Sequence, residues 1–120
     1  MAWSFRSGIP LTVQIVDKLR SDILRGVYES GSAFPTVRQL ATEAGVNPNT
    51  MQKALLLLEA EGLVTTRGTA RKLVTVDGEV IREAKRRELD KFVAEVVKEA
   101  KAKDIDCREL INYIEKGWEL

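Results

Sequence analysis

The sequence contains no histidine and a single cysteine, Cys107. Without histidine the chain can build neither a Ser-His or Cys-His nucleophile system nor a zinc site of the Cys/His type. One cysteine excludes an internal disulfide, and a reducing cytoplasm is the simple expectation. Glycine-rich phosphate loops, HExxH motifs and CxxC motifs are missing as well. We therefore predict a protein that is not an enzyme and that carries no metal ion or cofactor.

Long hydrophobic runs are also lacking. No apolar stretch approaches the roughly 20 residues of a membrane-spanning helix, and the first residues, MAWSFRSGIP, lack the apolar core of a signal peptide. The composition of the 120 residues, 44% hydrophobic and 31% charged, fits a soluble protein of one domain, or of a small domain with an appendage, without membrane contact. Residues 1–75 carry nine Lys/Arg against six Asp/Glu, whereas residues 76–120 carry ten against twelve. This mild asymmetry permits a nucleic-acid partner for the first part without demanding one.

Two helices are predicted in the first part of the chain. Apolar residues recur at helical spacing and predict a first helix over about residues 11–25. Thr36 and Gln39 then form the T-x-x-Q pattern of a capping box, which predicts a short second helix over about residues 37–44. The first helix should turn these residues toward the core: Val13, Val16, Leu19 or Arg20, Ile23 and Leu24. The second should bury Val37, Leu40, Ala41 and Ala44.

The stretch NPNTMQKALLLLEAEG predicts a third helix with a polar start and an apolar continuation. Asn47 fits the N-cap, and Pro48 fits the first helical position, where its missing N–H costs nothing. The core face should hold Met51, Ala54, Leu55 and Leu58, whereas the exposed N-terminal end should hold Asn49, Thr50, Gln52 and Lys53. Because only Gly45-Val46-Asn47 separates the second helix from the third, the pattern indicates a helix-turn-helix.

The rest of the chain predicts a β-hairpin followed by two helices. The segments LVTT and RKLVTV read as short strands around RGTA, and a hairpin in this position is a wing. A fourth helix is expected over about residues 79–103, and a fifth should begin after Asp106, with Glu109 as its capping partner. We thus expect a mainly α fold with a small β-hairpin wing, made of a winged helix-turn-helix domain over residues 1–76 and a C-terminal α-helical hairpin over residues 77–120.

The apolar stripes of the two C-terminal helices exceed what a thin pair of helices can cover by itself. An exposed stripe of this size usually marks a partner surface, most simply a second copy of the chain. The predicted homodimer contact comprises Leu89, Phe92, Val93, Val96, Ala100, Leu110, Ile111, Ile114 and Trp118.

The segments FPTVRQLATEAGVNPNTMQKAL and LEAEGLVTTRGTA resemble the GntR family of bacterial transcription regulators. The family pattern there is approximately P-S-x-R-x-L-A, G-V-(N/S)-x-x-T-(V/M)-x-x-A and L-x-x-x-G-L, followed by an R-G wing. Many positions match at fixed spacing over residues 9–76, and the short two-helix tail is similar to that of the YtrA subfamily. The resemblance implies a dimeric, cytoplasmic repressor that binds a palindromic double-stranded DNA operator through a winged helix-turn-helix.

The resemblance also implies which residues contact the operator. Arg38 matches a DNA-contacting arginine of the family's second helix. The turn and the recognition helix contribute Asn47, Asn49, Thr50 and Gln52, and the wing tip that enters the minor groove contributes Arg67, Gly68 and Thr69.

The side-chain chemistry of these positions suits DNA. Asparagine and glutamine can bond bidentately to adenine, and threonine can contact a thymine methyl or a phosphate. Lys53, Arg71 and Lys72 suit phosphates better than bases. Simpler alternatives stay open, because Asn47 fits a helix cap alone, Arg38 could pair with Glu43, and all of these cations could be merely solvated.

Two other functions stay open as well. The near-neutral charge is compatible with a winged-helix adaptor that binds protein and not DNA, and the tail helices could hold a small-molecule effector, although so short a tail has little room for a pocket.

Cys107 is predicted to be a small buried hydrophobe. For Leu56 and Leu57, the hypothesis is that one packs on the first helix or on the tail helices. Trp3 and Phe5 could either clip onto the core or be disordered.

Overall fold

The structure is a computed structural model that describes residues 2–68 and 71–120. Its elements run in the order α1 (Leu11–Leu24), α2 (Val37–Ala44), α3 (Pro48–Ala60), β1 (Val64–Arg67), β2 (Arg71–Val74), α4 (Gly78–Ala102) and α5 (Cys107–Trp118). The two strands form an antiparallel hairpin. These elements confirm the predicted fold class. The chain divides into two compact units, residues 1–84 and residues 85–120.

The core of the first unit is built around α3. This helix buries the four residues predicted for its core face, Met51, Ala54, Leu55 and Leu58. α2 buries Leu40, Ala41 and Ala44 as predicted, while Val37 is only half-buried. The first two turns of α4 close the core, since Ala84 is buried there and Val80 and Ile81 pack against it.

α1 corrects one part of the prediction. Its buried apolar residues are Ile15, Val16, Leu19 and Ile23, whereas Val13 is exposed and Leu24 is only half-buried. At about 100° per residue, Val13 lies roughly 160° around the helix from Ile15. The predicted buried face of α1 therefore began with the wrong residue. Ile15, which the prediction omitted, belongs to the buried face.

An ion pair fastens α1 to the end of α3. Arg20, which the prediction left as an alternative to Leu19, donates from Nε to Glu61 Oε1 at 2.7 Å and from Nη2 to Glu61 Oε2 at 2.8 Å. Its side chain is only 16% exposed, and Nη1 also donates to Asp17 Oδ1 at 2.9 Å. Such a bidentate, partly shielded contact fixes the geometry of the two helices better than a single surface pair does.

The N-terminal segment packs on this core. The backbone N–H of Trp3 donates to the carbonyl of Ala44 at 3.3 Å, and the Trp3 ring lies 6.3 Å from that of Phe5. The Lys18 ammonium sits 5.0 Å from the Trp3 ring centroid. The Gln14 side chain both accepts from the backbone N–H of Arg6 and donates to its carbonyl. The structure therefore shows that Trp3 and Phe5 pack on the core, which was one of the two alternatives.

The second unit contains the rest of α4, a tight turn, and α5. Asp104 ends α4 in the left-handed conformation at φ 56°, and the N–H of Ile105 donates back to the carbonyl of Ala100 at 2.9 Å. Asp106 caps α5 by accepting from the N–H of Glu109 at 3.2 Å, as predicted. α5 itself buries none of its residues in one copy of the chain. Cys107 is exposed, so its predicted burial is wrong for a single chain.

Leu56 and Leu57 are 52% and 48% exposed. Neither side chain is buried, and the hypothesis that one of them packs on α1 or on the tail helices stays a prediction. None of the helices in the described residues has the length and apolarity that a membrane span requires.

Candidate nucleic-acid interface

The exposed face of α3 begins with a capped and pre-set first turn. Asn47 Oδ1 accepts from the N–H of Asn49 at 2.7 Å, which confirms Asn47 as the N-cap, and Pro48 occupies the first helical position. Asn49, Gln52 and Lys53 are exposed on this turn and the next, and Thr50 is half-buried. Because the opposite face is locked in the core, these side chains are presented from a rigid element.

The turn before α3 is equally defined. Thr36 and Gln39 form the predicted capping box of α2, with both reciprocal hydrogen bonds present. Gly45 ends the helix in the left-handed conformation at φ 75°. Together the two ends of this short helix fix where the polar start of α3 lies and where Arg38, which is exposed on α2, projects.

The hairpin places two arginines opposite each other at its tip. Arg67 pairs with Arg71 in the strand register, and both side chains are exposed. Gly68 follows Arg67 with a φ of 65°, a conformation that glycine adopts without strain. The predicted contact Thr69 lies outside the described residues.

A single carboxylate on α3 joins the helix to this hairpin. Glu59 Oε1 accepts from Thr66 Oγ1 at 2.7 Å and from Lys72 Nζ. The hydrogen bond from Lys72, and then that from Thr66, lower the pKa of Glu59 below its ordinary value of 4.5. Lys72 is thus engaged within the protein, so the structure does not favour its expected role as a free phosphate contact. Sequence reasoning missed Glu59, because the partner strands lie beyond the helix in the chain.

The cations of the predicted interface differ from most others in the first unit, where, among the described residues, Arg6 is the exception without an ion pair. Lys18, Arg20, Arg25 and Lys72 all lie in ion pairs. Across residues 2–68 and 71–120, no ion pair involves Arg38, Lys53, Arg67 or Arg71. In particular, Arg38 does not pair with Glu43 there. The predicted contacts are therefore the uncompensated cations around the helix-turn-helix and the wing.

A concavity of about 590 Å³ brings three of these elements together. Gln52 of α3 and Arg71 of β2, both predicted contacts, line it from two sides. Thr36 and Gln39 line it from the start of α2; the sequence singled them out only as a cap. Their polar groups thus extend the predicted surface toward the N-terminus of α2. Arg38, Asn49 and Arg67 do not line this concavity.

The residues predicted for the dimer contact form an apolar surface in the second unit. Leu89, Phe92, Val93, Ile111, Ile114 and Trp118 are exposed, Val96 and Leu110 are half-buried, and Ala100 is buried. Val97 and Tyr113, which the prediction did not name, are also exposed. A concavity of about 640 Å³ at the α4–α5 turn is lined by Val97, Ala100 and Leu110 among others. This concavity is open to solvent, and two of its lining residues, Ala100 and Leu110, belong to the predicted dimer contact.

No group of three or more acidic or cysteine side chains in the described ranges is arranged to hold a metal ion.

Comparison with known proteins gives concordant matches. The family of bacterial regulatory proteins named gntR matches residues 11–74. The HTH-type transcriptional repressor YtrA of Bacillus subtilis (strain 168) is 42% identical over 67 residues, which cover 53% of this chain and 52% of YtrA. The chain thus spans about half the length of the curated relatives that it matches first.

Solved structures extend the likeness to the tail. A GntR family transcriptional regulator from Listeria monocytogenes superposes with a TM-score of 0.84 and 31% identity, over 93% of this chain and 98% of that one. The DNA-binding domain of AraR in complex with operator ORX1 shares the fold over 60% of this chain and 93% of that one, with a TM-score of 0.55 and 23% identity. Since the family match spans more than half of the chain, the protein belongs to the GntR family of bacterial regulatory proteins.

Proposed function

We propose that this protein is a sequence-specific DNA-binding transcription regulator that represses by occupying an operator. The observation that carries the proposal is the set of unpaired cations, Arg38, Lys53, Arg67 and Arg71, around the exposed polar start of α3. In the described part of the first unit, the other cations except Arg6 lie in ion pairs with acids. A surface that keeps its positive charge free is suited to a polyanion.

The arrangement fits the two grooves of a DNA duplex. The major groove admits an α-helix, and Asn49 and Gln52 can bond to adenine edges from the exposed turns of α3. Arg67 at the hairpin tip is suited to a narrow minor groove, whose negative potential attracts arginine. Arg38, Lys53 and Arg71 would contact phosphates, which position the protein without specifying sequence.

The relatives support the same function. YtrA carries the name of a transcriptional repressor, and the DNA-binding domain of AraR has been solved with its operator. By this likeness the present chain would read its operator with residues 1–76 and act in the bacterial cytoplasm, where the DNA is.

The proposal includes a homodimer of two copies of the chain. The proposed contact face comprises Phe92 of α4 and Ile111, Ile114 and Trp118 of α5, which are solvent-exposed in one copy, with Trp118 83% exposed. An isologous contact through this face would bury these side chains and give the dimer a two-fold axis. A two-fold dimer reads a palindromic operator, with half-sites separated by about one helical turn or a multiple of it.

Selection from a random duplex pool tests the DNA-binding function. Wild-type protein should enrich a palindromic sequence, and its affinity should fall steeply as salt rises, because bound phosphates release counterions. Asn49→Ala should reduce the discrimination between bases at one operator position by about 1–3 kcal/mol. Lys53→Ala should weaken binding to all sequences and reduce the salt slope by about one.

The control is Lys98→Ala, which removes an exposed cation from the tail and should leave both affinity and slope unchanged. If wild-type protein bound no duplex at micromolar concentration and low salt, the proposal would fail and the adaptor alternative would replace it.

A further inference from the structure

One acidic side chain of α3 is bonded to both members of a single cross-strand pair in the wing. Thr66 of β1 lies opposite Lys72 of β2 in the strand register, and both side chains donate to Glu59 Oε1. The next pair toward the tip is Arg67 and Arg71. Glu59 therefore holds the hairpin directly below the two wing arginines.

The backbone attaches the hairpin elsewhere. The N–H of Phe34 donates to the carbonyl of Lys72 at 2.8 Å, and the N–H of Val74 donates to the carbonyl of Ser32 at 2.9 Å. These bonds fasten β2 to the segment before α2 rather than to α3. Among the described residues, the side-chain hydrogen bonds between α3 and the two strands all end on Glu59. Buried Val64 and Val74 attach the base of the hairpin to the core, so Glu59 is the described side-chain link between α3 and the part of the hairpin nearest its tip.

Electrostatics alone would disfavour an acid in this place. A carboxylate beside a DNA-binding surface repels phosphates, so it lowers affinity unless it has a geometric role. Glu59 and Lys72 are 24% and 17% exposed, so their ion pair is shielded from solvent on most sides. A shielded, charge-assisted contact holds its geometry better than an exposed pair does.

We propose that Glu59 is a positioning residue that sets the wing against the recognition helix. With the wing held, Arg67 can reach the minor groove at the same time as Asn49 and Gln52 reach base edges in the major groove. Without Glu59, the wing must be ordered during binding, and that ordering costs affinity. The inference rests on the proposed function, because it assigns a role in DNA recognition to a residue that itself contacts no DNA.

The first arm of the test measures the wing in the protein alone. Amide hydrogen exchange is compared in wild type, Glu59→Gln and Thr66→Val; the second variant is nearly isosteric and removes only the hydroxyl donor. Both variants should exchange several-fold faster at residues 64–67 and 71–74, with α1 and the core of α3 unchanged. The control is Glu79→Gln, which removes an acid paired with Arg82 on the first turn of α4 and should leave wing exchange unchanged.

The second arm measures binding to the duplex selected by the wild-type protein. Glu59→Gln should bind it about tenfold more weakly, a change of about 1.4 kcal/mol. It should bind a random-sequence duplex as tightly as wild type or more tightly, because a negative charge has been removed. Thr66→Val should weaken specific binding by several-fold, and the double variant should be no weaker than Glu59→Gln, because both changes disrupt one contact.

Opposite results overturn the inference. If Glu59→Gln bound the selected duplex as tightly as wild type, or more tightly, Glu59 would act only as a local charge. If wing exchange did not change in either variant, Glu59 would not hold the wing. Should Glu59→Gln fail to fold, Thr66→Val decides both arms. A wild-type protein that bound no duplex would instead refute the proposed function, while the exchange arm would still show whether Glu59 holds the wing.

Discussion

Replacing Gly45 with alanine should destabilise the turn between α2 and α3 in two separate ways. Gly45 has a φ of 75°, in the left-handed region that an L-residue with a β-carbon avoids. A β-carbon at this position would also lie 3.0 Å from the β-carbon of Ala2. The N-terminal segment would have to move, although the Trp3 N–H is bonded to the carbonyl of Ala44 at 3.3 Å.

The magnitude follows from these two costs. The left-handed conformation costs an alanine roughly 1–2 kcal/mol. The lower entropy of the unfolded chain returns about 0.4–1 kcal/mol when glycine is replaced. The contact with Ala2 adds to the loss, so we expect a net decrease of about 1–2 kcal/mol in the free energy of unfolding. For a domain of this size each kcal/mol lowers Tm by about 4–8 °C.

Gly26→Ala is the matched control for the contact. Gly26 has a φ of 81°, but a β-carbon there would meet no atom within 4 Å. It therefore reports the backbone cost alone, and Gly45→Ala should be the more destabilising of the two. Urea denaturation followed by far-UV circular dichroism measures both. Equal losses for the two variants, or a Gly45→Ala protein as stable as wild type, would refute the assignment of a strained and crowded turn.

Three further predictions follow from the same structure. Thr36→Ala removes the capping box of α2 and should lower the free energy of unfolding by about 1 kcal/mol in urea denaturation, whereas Thr42→Ala, on an exposed position of the same helix, should be near neutral; similar losses would contradict the cap. Because the folded pKa of Glu59 lies below 4.5, the stability that it contributes is present above that pH and is lost as pH falls through the folded value. The stability difference between wild type and Glu59→Gln should therefore shrink in acid, and a constant difference from neutral pH to pH ~3 would count against it. Sedimentation equilibrium should show a wild-type dimer and a monomeric Ile114→Glu variant, with Lys98→Glu unchanged as the control; a monomeric wild type at high concentration would exclude the proposed contact.

Local signals in the sequence were enough to predict most of the first unit. Asn47 and Pro48 specify a helix start through hydrogen bonding and a fixed φ, and both act within a few residues of their own position. The same holds for the capping box of Thr36 and Gln39. In α3 the spacing of Met51, Ala54, Leu55 and Leu58 assigns the buried face without any knowledge of the neighbouring helices.

The structure departs from the sequence-based expectations at residues whose contacts lie far away in the sequence or in another molecule. Cys107 was expected in the core because it shares the apolar spacing of α5, but in the described residues this helix buries none of its side chains. For Lys72 the sequence left a phosphate contact and simple solvation open, because its partner Glu59 lies 13 residues earlier, on another element. Val13 is a different case, since careful use of the helical period would have placed it opposite Ile15.

The distribution of ion pairs also changes how the near-neutral charge is interpreted. Residues 1–75 hold six acids, and four of them, Asp17, Asp22, Glu59 and Glu61, lie in ion pairs with basic residues of the same unit. These pairs neutralise acids inside the scaffold, and in the described residues they leave the cations of α2, α3 and the wing tip uncompensated. A DNA phosphate responds to the charges within about a Debye length, roughly 8 Å in physiological salt, rather than to the net charge of the chain. The balanced composition therefore does not favour a protein-binding adaptor over a DNA-binding regulator.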